Sequence, residues 1–154
     1  MEIERKFTIK KLPENLEDFP CKKIEQGYLC TCPVVRIRQE DDDYYLTYKS
    51  GGLLAREEYN LPLTREAYEH MRLKIDGNLI TKKRWCIPLE PSLTIELDIF
   101  EGAFEGVIIA EVEFDTVEEA NAFVPPEWFD KDVTFDGRYH NNVMSKANPA
   151  DYRS

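Results

Sequence analysis

Apolar and polar residues alternate with a period of two along much of the chain, the pattern of strands with one dry and one wet face. Runs rich in β-branched and aromatic residues cover 2–9, 24–31, 34–40, 44–49, 54–61, 79–87, 93–100 and 107–114. Turn-forming clusters separate them, the clearest being Asp41-Asp42-Asp43, Ser50-Gly51-Gly52, Asp76-Gly77-Asn78, Pro88 to Pro91 and Glu101-Gly102. Strands in such close succession predict a largely antiparallel sheet of eight strands.

Three segments break the period. Between Thr64 and Ile75, Ala67, Met71 and Ile75 recur every four residues with Leu73 beside them, which predicts a helix ending before Gly77. Thr116-Val117-Glu118-Glu119 has the form of a capping box, opening a helix that reaches Val124 and stops at Pro125-Pro126. A last short helix is predicted over Arg138 to Ser145, and a weaker turn over 14–19. No repeat, low-complexity tract or linker divides the 154 residues, so the expectation is a single α+β domain over 1–154. About two-thirds of the unfolded surface can be buried at that length.

Composition narrows the partners. Twenty basic against thirty acidic residues leave a net charge of −10. That argues against a general nucleic-acid binder and against adhesion to anionic membranes, but not against a small basic pocket inside an acidic shell. No apolar run approaches the roughly 18 residues of a membrane span. The charged opening Met1-Glu2-Ile3-Glu4-Arg5-Lys6 is unlike a signal peptide, so a cytoplasmic location is expected. Cys21, Cys30, Cys32 and Cys86 are then expected as free thiols, and Cys30 and Cys32 lack the second pair that a zinc site would need.

The candidate chemistry lies in how charges are sorted among strands. Glu2, Glu4 and Lys6 share one face of the first strand, Arg36 and Arg38 of the third, and Lys49 of the fourth lies with Thr47 and Tyr45. Arg56 and Glu58 share a face of the fifth, Lys82 and Arg84 of the sixth, Glu96 and Asp98 of the seventh, and Glu111 and Glu113 of the eighth. One such face is an ordinary wet surface. Acid pairs on three strands and bases on three others are less ordinary, because like charges side by side repel. Eight antiparallel strands can close into a barrel. With the charged faces inward, the barrel becomes a tunnel with a charged lumen and an apolar outside, which the helices would cover. Clustered Arg and Lys suit phosphate oxygens. Clustered carboxylates suit a hard divalent cation such as Mg²⁺ or Mn²⁺.

Glu2-Ile3-Glu4-Arg5-Lys6 is an E-x-E-x-K motif. It is followed in order by Gln26-Gly27-Tyr28-Leu29, Arg36-Ile37-Arg38, Tyr48-Lys49, Arg56-x-Glu58, Lys82-x-Arg84, Glu96-x-Asp98, Glu111-Val112-Glu113-Phe114 and the Tyr139 to Asn142 segment. From Met1 to about Ser145 this series resembles the CYTH superfamily of triphosphate tunnel metalloenzymes, which includes inorganic and thiamine triphosphatases, adenylyl cyclases and RNA triphosphatases. The resemblance implies metal binding by Glu2, Glu4 and Glu113, with Glu111 a further member. It implies that Lys6, Arg36, Arg38, Lys49, Lys82 and Arg84 hold the phosphate chain, and that Arg56 either reaches phosphate or pairs with Glu58. Glu4, Lys6, Arg38, Lys82 and Glu111 are the expected catalytic group. Glu58, Glu96 and Asp98 would orient bases, serve a second metal's water shell, or form lumen salt bridges. Asn60 stands where the family often has another acid.

The implied reaction is metal-assisted hydrolysis of a terminal phosphoanhydride, of tripolyphosphate first and nucleoside triphosphates more weakly. Adenylyl cyclase and thiamine triphosphatase are the alternatives within the family; a polyphosphate or nucleotide sensor, or an interaction module with a charged sheet face, is the alternative outside catalysis. Tyr28, Tyr45 and Trp85 could stack on a base, though aromatic strand residues more often pack. His70 and His140 are assigned no catalytic role.

Overall fold

A computed structural model describes residues 1–52 and 54–153. Its frame is a ten-stranded sheet with antiparallel pairings: β1 Glu2–Ile9, β2 Cys21–Thr31, β3 Val34–Glu40, β4 Asp43–Lys49, β5 Ala55–Arg56, β6 Glu58–Pro62, β7 Asp76–Leu89, β8 Leu93–Glu101, β9 Ile108–Glu113 and β10 Phe129–Asp132. The order across the sheet is β10-β1-β9-β8-β7-β2-β3-β4-β6, with β5 on β1. The strand expected over 54–61 is thus split at Glu57. Its first part pairs β1 (Glu2 with Arg56, Ile3 with Ala55), and its second pairs β4 (Lys49 with Glu58, Tyr48 with Tyr59). One short segment therefore ties together the two ends of the sheet and curls it around a central bore. Changing partner within one strand is what costs it its continuity. β10 carries three charges in four residues and no apolar alternation, so nothing in its pattern predicts it.

The two faces differ as the alternation predicts. On the outside, Ile3, Phe7, Leu97, Val112 and Phe114 form a dry layer with Phe129. It is covered by α2 (Val117–Ala122), whose N-cap Thr116 accepts a hydrogen bond from Glu119 N–H, and by Leu16 and Phe19 at either end of a 3₁₀ turn (Leu16–Asp18). The Phe7 ring lies 4.8 Å from Phe129 and 6.0 Å from Phe123. The helix α1 (Arg65–Arg72) covers β3 and β4, with buried Tyr68 against Tyr44 at 5.1 Å. It ends three residues earlier than its periodicity suggests. Leu73 is 84% exposed, and Ile75 instead packs on Gly27, where a β-carbon would lie 2.6 Å from the isoleucine. The outer face of β4 and β6 stays uncovered at Tyr48, Tyr59 and Leu61.

The C-terminal helix, α3 (Asn141–Met144), differs from the expectation that it would pack outside. Met144 is fully buried with Tyr28, Ile80, Phe100 and Ile109, which point to the bore side of their strands, so α3 fills one end of the bore with an apolar floor. Gly77 permits this. Its φ is +84°, and a β-carbon there would meet Ser145 O at 2.1 Å, while Asn78 N–H donates to that same carbonyl.

Because Phe7 is 1% exposed and contacts two rings, Phe7→Ala is expected to cost about 3–5 kcal/mol of stability. Denaturant unfolding measures this, and a loss under about 1 kcal/mol would show that the outer layer is not the core holding the sheet.

Candidate active site

The bore side of the sheet encloses a cavity of about 390 Å³. All seven bases singled out from the alternation line it: Lys6, Arg36, Arg38, Lys49, Arg56, Lys82 and Arg84. So do six of the seven acids, Glu2, Glu4, Glu58, Glu96, Glu111 and Glu113. Asp98 lies just behind them, wholly buried. In a low-dielectric setting such charges persist only in pairs, and the pairing is dense. Asp98 meets Lys82 Nζ at 2.7 Å and takes two hydrogen bonds from Arg84, at 2.7 and 2.9 Å. Lys6 lies between Glu111 (2.5 Å) and Glu4 (3.2 Å). Lys49 lies between Glu2 (2.8 Å) and Glu58 (3.2 Å), and Arg56 reaches Glu2 at 3.4 Å.

Two features break this neutrality, on opposite walls. In the ring of strands, β3 stands across from β9. On β3, Arg36 has no acid partner among the described residues; one Nη bonds Thr47 Oγ1 at 3.3 Å, and its buried Nε–H has no acceptor. Beside it Arg38 donates from Nε to Gln26 Oε1 at 2.8 Å, and its one acid contact among the described residues is a loose one with Glu40 at 3.8 Å. Burial, with the charges of Arg36 and Arg84, pushes Arg38 down to about 10. That wall has cationic N–H groups to offer an anion.

The facing wall carries opposed acids. Glu4 sits directly across from Glu113, and Glu96 directly across from Glu111, an arrangement that is unfavourable unless something intervenes. For Glu111, Lys6 and Arg84 intervene and hold its carboxyl well below the usual range despite burial. Among the described residues Glu113 has no such partner; burial and the charges of Glu2 and Glu4 push it up to about 7. Among the described residues no three acids, histidines or cysteines converge as a ready-made metal site, since Glu2, Glu4 and Glu111 are turned toward lysines and arginines. An oxygen-only donor set in mutual repulsion nonetheless fits a hard divalent cation.

The structure also adds residues for which alternation gave no role. Glu40 continues the 36–38 face, so the signal was available. Thr47 Oγ1 donates to Asn60 Oδ1 at 2.6 Å, and Asn60 donates to Glu58 at 2.9 Å, so Asn60 tethers the neighbouring acid. His140, Asn141 and Asn142 come from the C-terminal segment, beyond the last long strand, where no alternation exists to read. His140 is buried, with Nε2 2.7 Å from Thr134 O. His70 is exposed on α1. Of the three stacking candidates, Tyr28 and Tyr45 line the cavity, whereas Trp85 packs in the outer layer and has no access to it. All four cysteines are free.

A curled antiparallel sheet whose bore opposes a basic wall to an acidic one has the architecture of a tunnel protein. The CYTH domain pattern matches residues 1–133, and the chain belongs to that family. It is similar to the inorganic triphosphatase of Nitrosomonas europaea, 35% identical over 152 residues that cover 96% of this chain and 99% of that one. It is also similar to the inorganic triphosphatase of Acetivibrio thermocellus, 35% identical over 94% of this chain and 93% of that one. The crystal structure of the inorganic triphosphatase NE1496 superposes with a TM-score of 0.72 at 32% identity, covering 96% of this chain and 95% of that one. Among the described residues no helix is long and apolar enough to cross a membrane.

Asp98→Ala would leave Lys82 and Arg84 buried without their shared carboxylate. It is expected to cost about 3–5 kcal/mol, the range for breaking a buried ion pair from one side. Unfolding at pH 7 checks this, and an unchanged midpoint would mean that the bore is wetter than its burial implies.

Proposed function

We propose that the tunnel hydrolyses the terminal phosphoanhydride of a triphosphate, with inorganic tripolyphosphate as its first substrate and nucleoside triphosphates as weaker ones. The observation that carries this reading is the opposition of Arg36 and Arg38 on β3 to the Glu4–Glu113 pair on β1 and β9, which offers anion and cation sites across one small bore. The two relatives over 30% identical are both named inorganic triphosphatases, which supports the same reading.

In it, Arg36, Arg38 and Lys82 bind phosphate oxygens through N–H groups not committed to acids. Lys6, held protonated by Glu111 and Glu4, and Arg84, held by Asp98 and Glu96, keep fixed positive charge beside the scissile bond, where a loose phosphoryl transition state spreads negative charge. Lys49 and Arg56 extend the basic side past Glu2. Glu2, Glu4, Glu111 and Glu113 would hold a divalent cation, Mg²⁺ or Mn²⁺, which when bound supplies Lewis-acid polarisation of the phosphoryl oxygens. Glu58, Glu96 and Asp98 act by orienting bases. No protein nucleophile is needed, and water is the acceptor.

With Mg²⁺ or Mn²⁺ the protein is expected to release phosphate and pyrophosphate from tripolyphosphate, and to release neither when the metal is chelated. Glu4→Gln should abolish metal-dependent turnover in a folded protein. Arg36→Ala should lower kcat/KM by about 10–100-fold, the value of one or two charged hydrogen bonds. Cyclic AMP and pyrophosphate from ATP would move the protein to the cyclase chemistry. Tight binding of tripolyphosphate without turnover would make it a sensor.

Burial and the charges of Arg84 and Arg38 push Lys82 down to about 7, although Asp98 pulls the other way. At pH 8 Lys82 is then largely neutral in the free protein, and a polyanion favours its charged form. Binding of tripolyphosphate in chelator should therefore take up about one proton per site, read by calorimetry in buffers of different ionisation enthalpy. Uptake that persists in Lys82→Met would assign it to another group.

A further inference from the structure

Lys82 and Arg38 lie on β7 and β3, with β2 between them, and one amide chain joins them. Asn141 Oδ1 accepts from Lys82 Nζ at 2.9 Å and from Gln26 Nε2 at 2.7 Å, and Gln26 Oε1 accepts from Arg38 Nε at 2.8 Å. The direction of every bond follows from the Arg38 end. A guanidinium only donates, so Gln26 must turn its carbonyl oxygen to it and its amide N–H to Asn141. Asn141 must then offer its oxygen to Gln26, and the same oxygen accepts from Lys82 Nζ, which carries a donor N–H whether neutral or charged. Gln26 is wholly buried and Asn141 nearly so, so neither amide can borrow a partner from bulk water.

We infer that Asn141 is a positioning residue, which fixes Lys82 directly and Arg38 through Gln26 as one anion cradle. Asn141 is placed independently of the charges it serves. Asn78 Nδ2 donates to Met144 O at 3.0 Å and to Ala147 O at 2.8 Å, so α3 is pinned to β7, the strand that carries Lys82. Without the Asn141 oxygen, Asp98 alone would draw Lys82 Nζ toward β8. The Gln26 amide would be free to turn its NH₂ against Arg38, donor facing donor. The residue lies beyond 133, where the CYTH domain match ends, so the segment after the matched region completes the site.

The inference rests on the proposed triphosphate function, and the test separates the two. Asn141→Ala and Asn141→Asp are compared with the wild-type protein for tripolyphosphate turnover with metal, and for tripolyphosphate binding in chelator at pH 8. Asn141→Ala should raise KM and lower kcat/KM by about 10–100-fold, the value of hydrogen bonds to charged groups, with a melting temperature close to wild type. In this background Gln26→Ala should add much less than it costs alone, because the two act as a unit. Asn141→Asp keeps both acceptor contacts but places a carboxylate on Lys82, which also faces Asp98 from β8, Arg38 from β3, Glu111 from β9 and Arg84 on its own strand. Lys82 should then be charged before the anion arrives, and proton uptake on binding should vanish, a change that a merely structural asparagine would not produce. If Asn141→Ala does not fold, Asn141→Asp decides. Wild-type KM and wild-type proton uptake in a folded Asn141→Asp, or wild-type kcat/KM in Asn141→Ala, overturn the inference while the function stands. A wild-type protein that neither binds nor cleaves tripolyphosphate overturns the function, and this inference with it.

Discussion

The bore depends on Asp98. It is wholly buried, and among the described residues it is the one carboxylate that contacts both Lys82 and Arg84. Two cations side by side on β7 in an interior of low dielectric repel each other and are each poorly solvated. A single anion behind them makes the arrangement possible and leaves their remaining N–H groups facing the cavity. Around this centre two lysines follow the same rule with less burial: Lys6 against Glu111 and Glu4, Lys49 against Glu2 and Glu58. Replacing such pairs by apolar residues would often make a protein no less stable, so the network is better explained by what its unpaired members can bind than by stability.

Putting the charges inside decides where the apolar residues go. A sheet has two faces, and with the bore committed to charge, the dry layer has to form outside. There α2 and the Leu16–Phe19 turn cover β1, β9, β8 and β7, and α1 covers β3 and β4. The floor is the exception, because Ile80, Phe100 and Ile109 continue the faces of Lys82, Asp98 and Glu111 beneath the charged layer and need an apolar lid of their own. Met144 supplies it, which is why the last helix enters the bore instead of joining the outer layer. The same entry carries Asn141 to the charged layer.

Strand alternation made most of this legible. It placed all seven bases on one side of the sheet, and it does so for Glu40 as well once the Arg36–Arg38 face is continued. Its limits are physical. Alternation gives a face but not a partner, so the division of 54–61 between β1 and β4 depends on closure between residues far apart in sequence. A four-residue periodicity gives a stripe but not a surface to receive it, so Leu73 ended exposed and Tyr68 buried. Trp85 is one residue from Arg84 and therefore faces outward, which its own strand's alternation already implied against a stacking role. Asn141 and His140 belong to no strand, and their proximity to the bore is a property of the chain's path, not of a pattern.

The net charge of −10 runs against the proposed polyanionic ligand, because an acidic shell slows the approach of a free anion. The local balance resolves this. The cavity is lined by seven bases and, with Glu40, seven acids, so the bore is close to neutral while its walls differ in sign. Under the proposed function, a neutral bore with polar walls would discriminate between a bare polyanion and one complexed with a divalent cation. The bare anion would gain at β3 and lose against Glu4 and Glu113, whereas the complex presents anion to the first and cation to the second. The complex also carries less charge past the acidic exterior. Under the proposed function, the opposed carboxylates of β1 and β9, unfavourable in isolation, would become the half of the site that favours a phosphate chain accompanied by its metal over the bare chain.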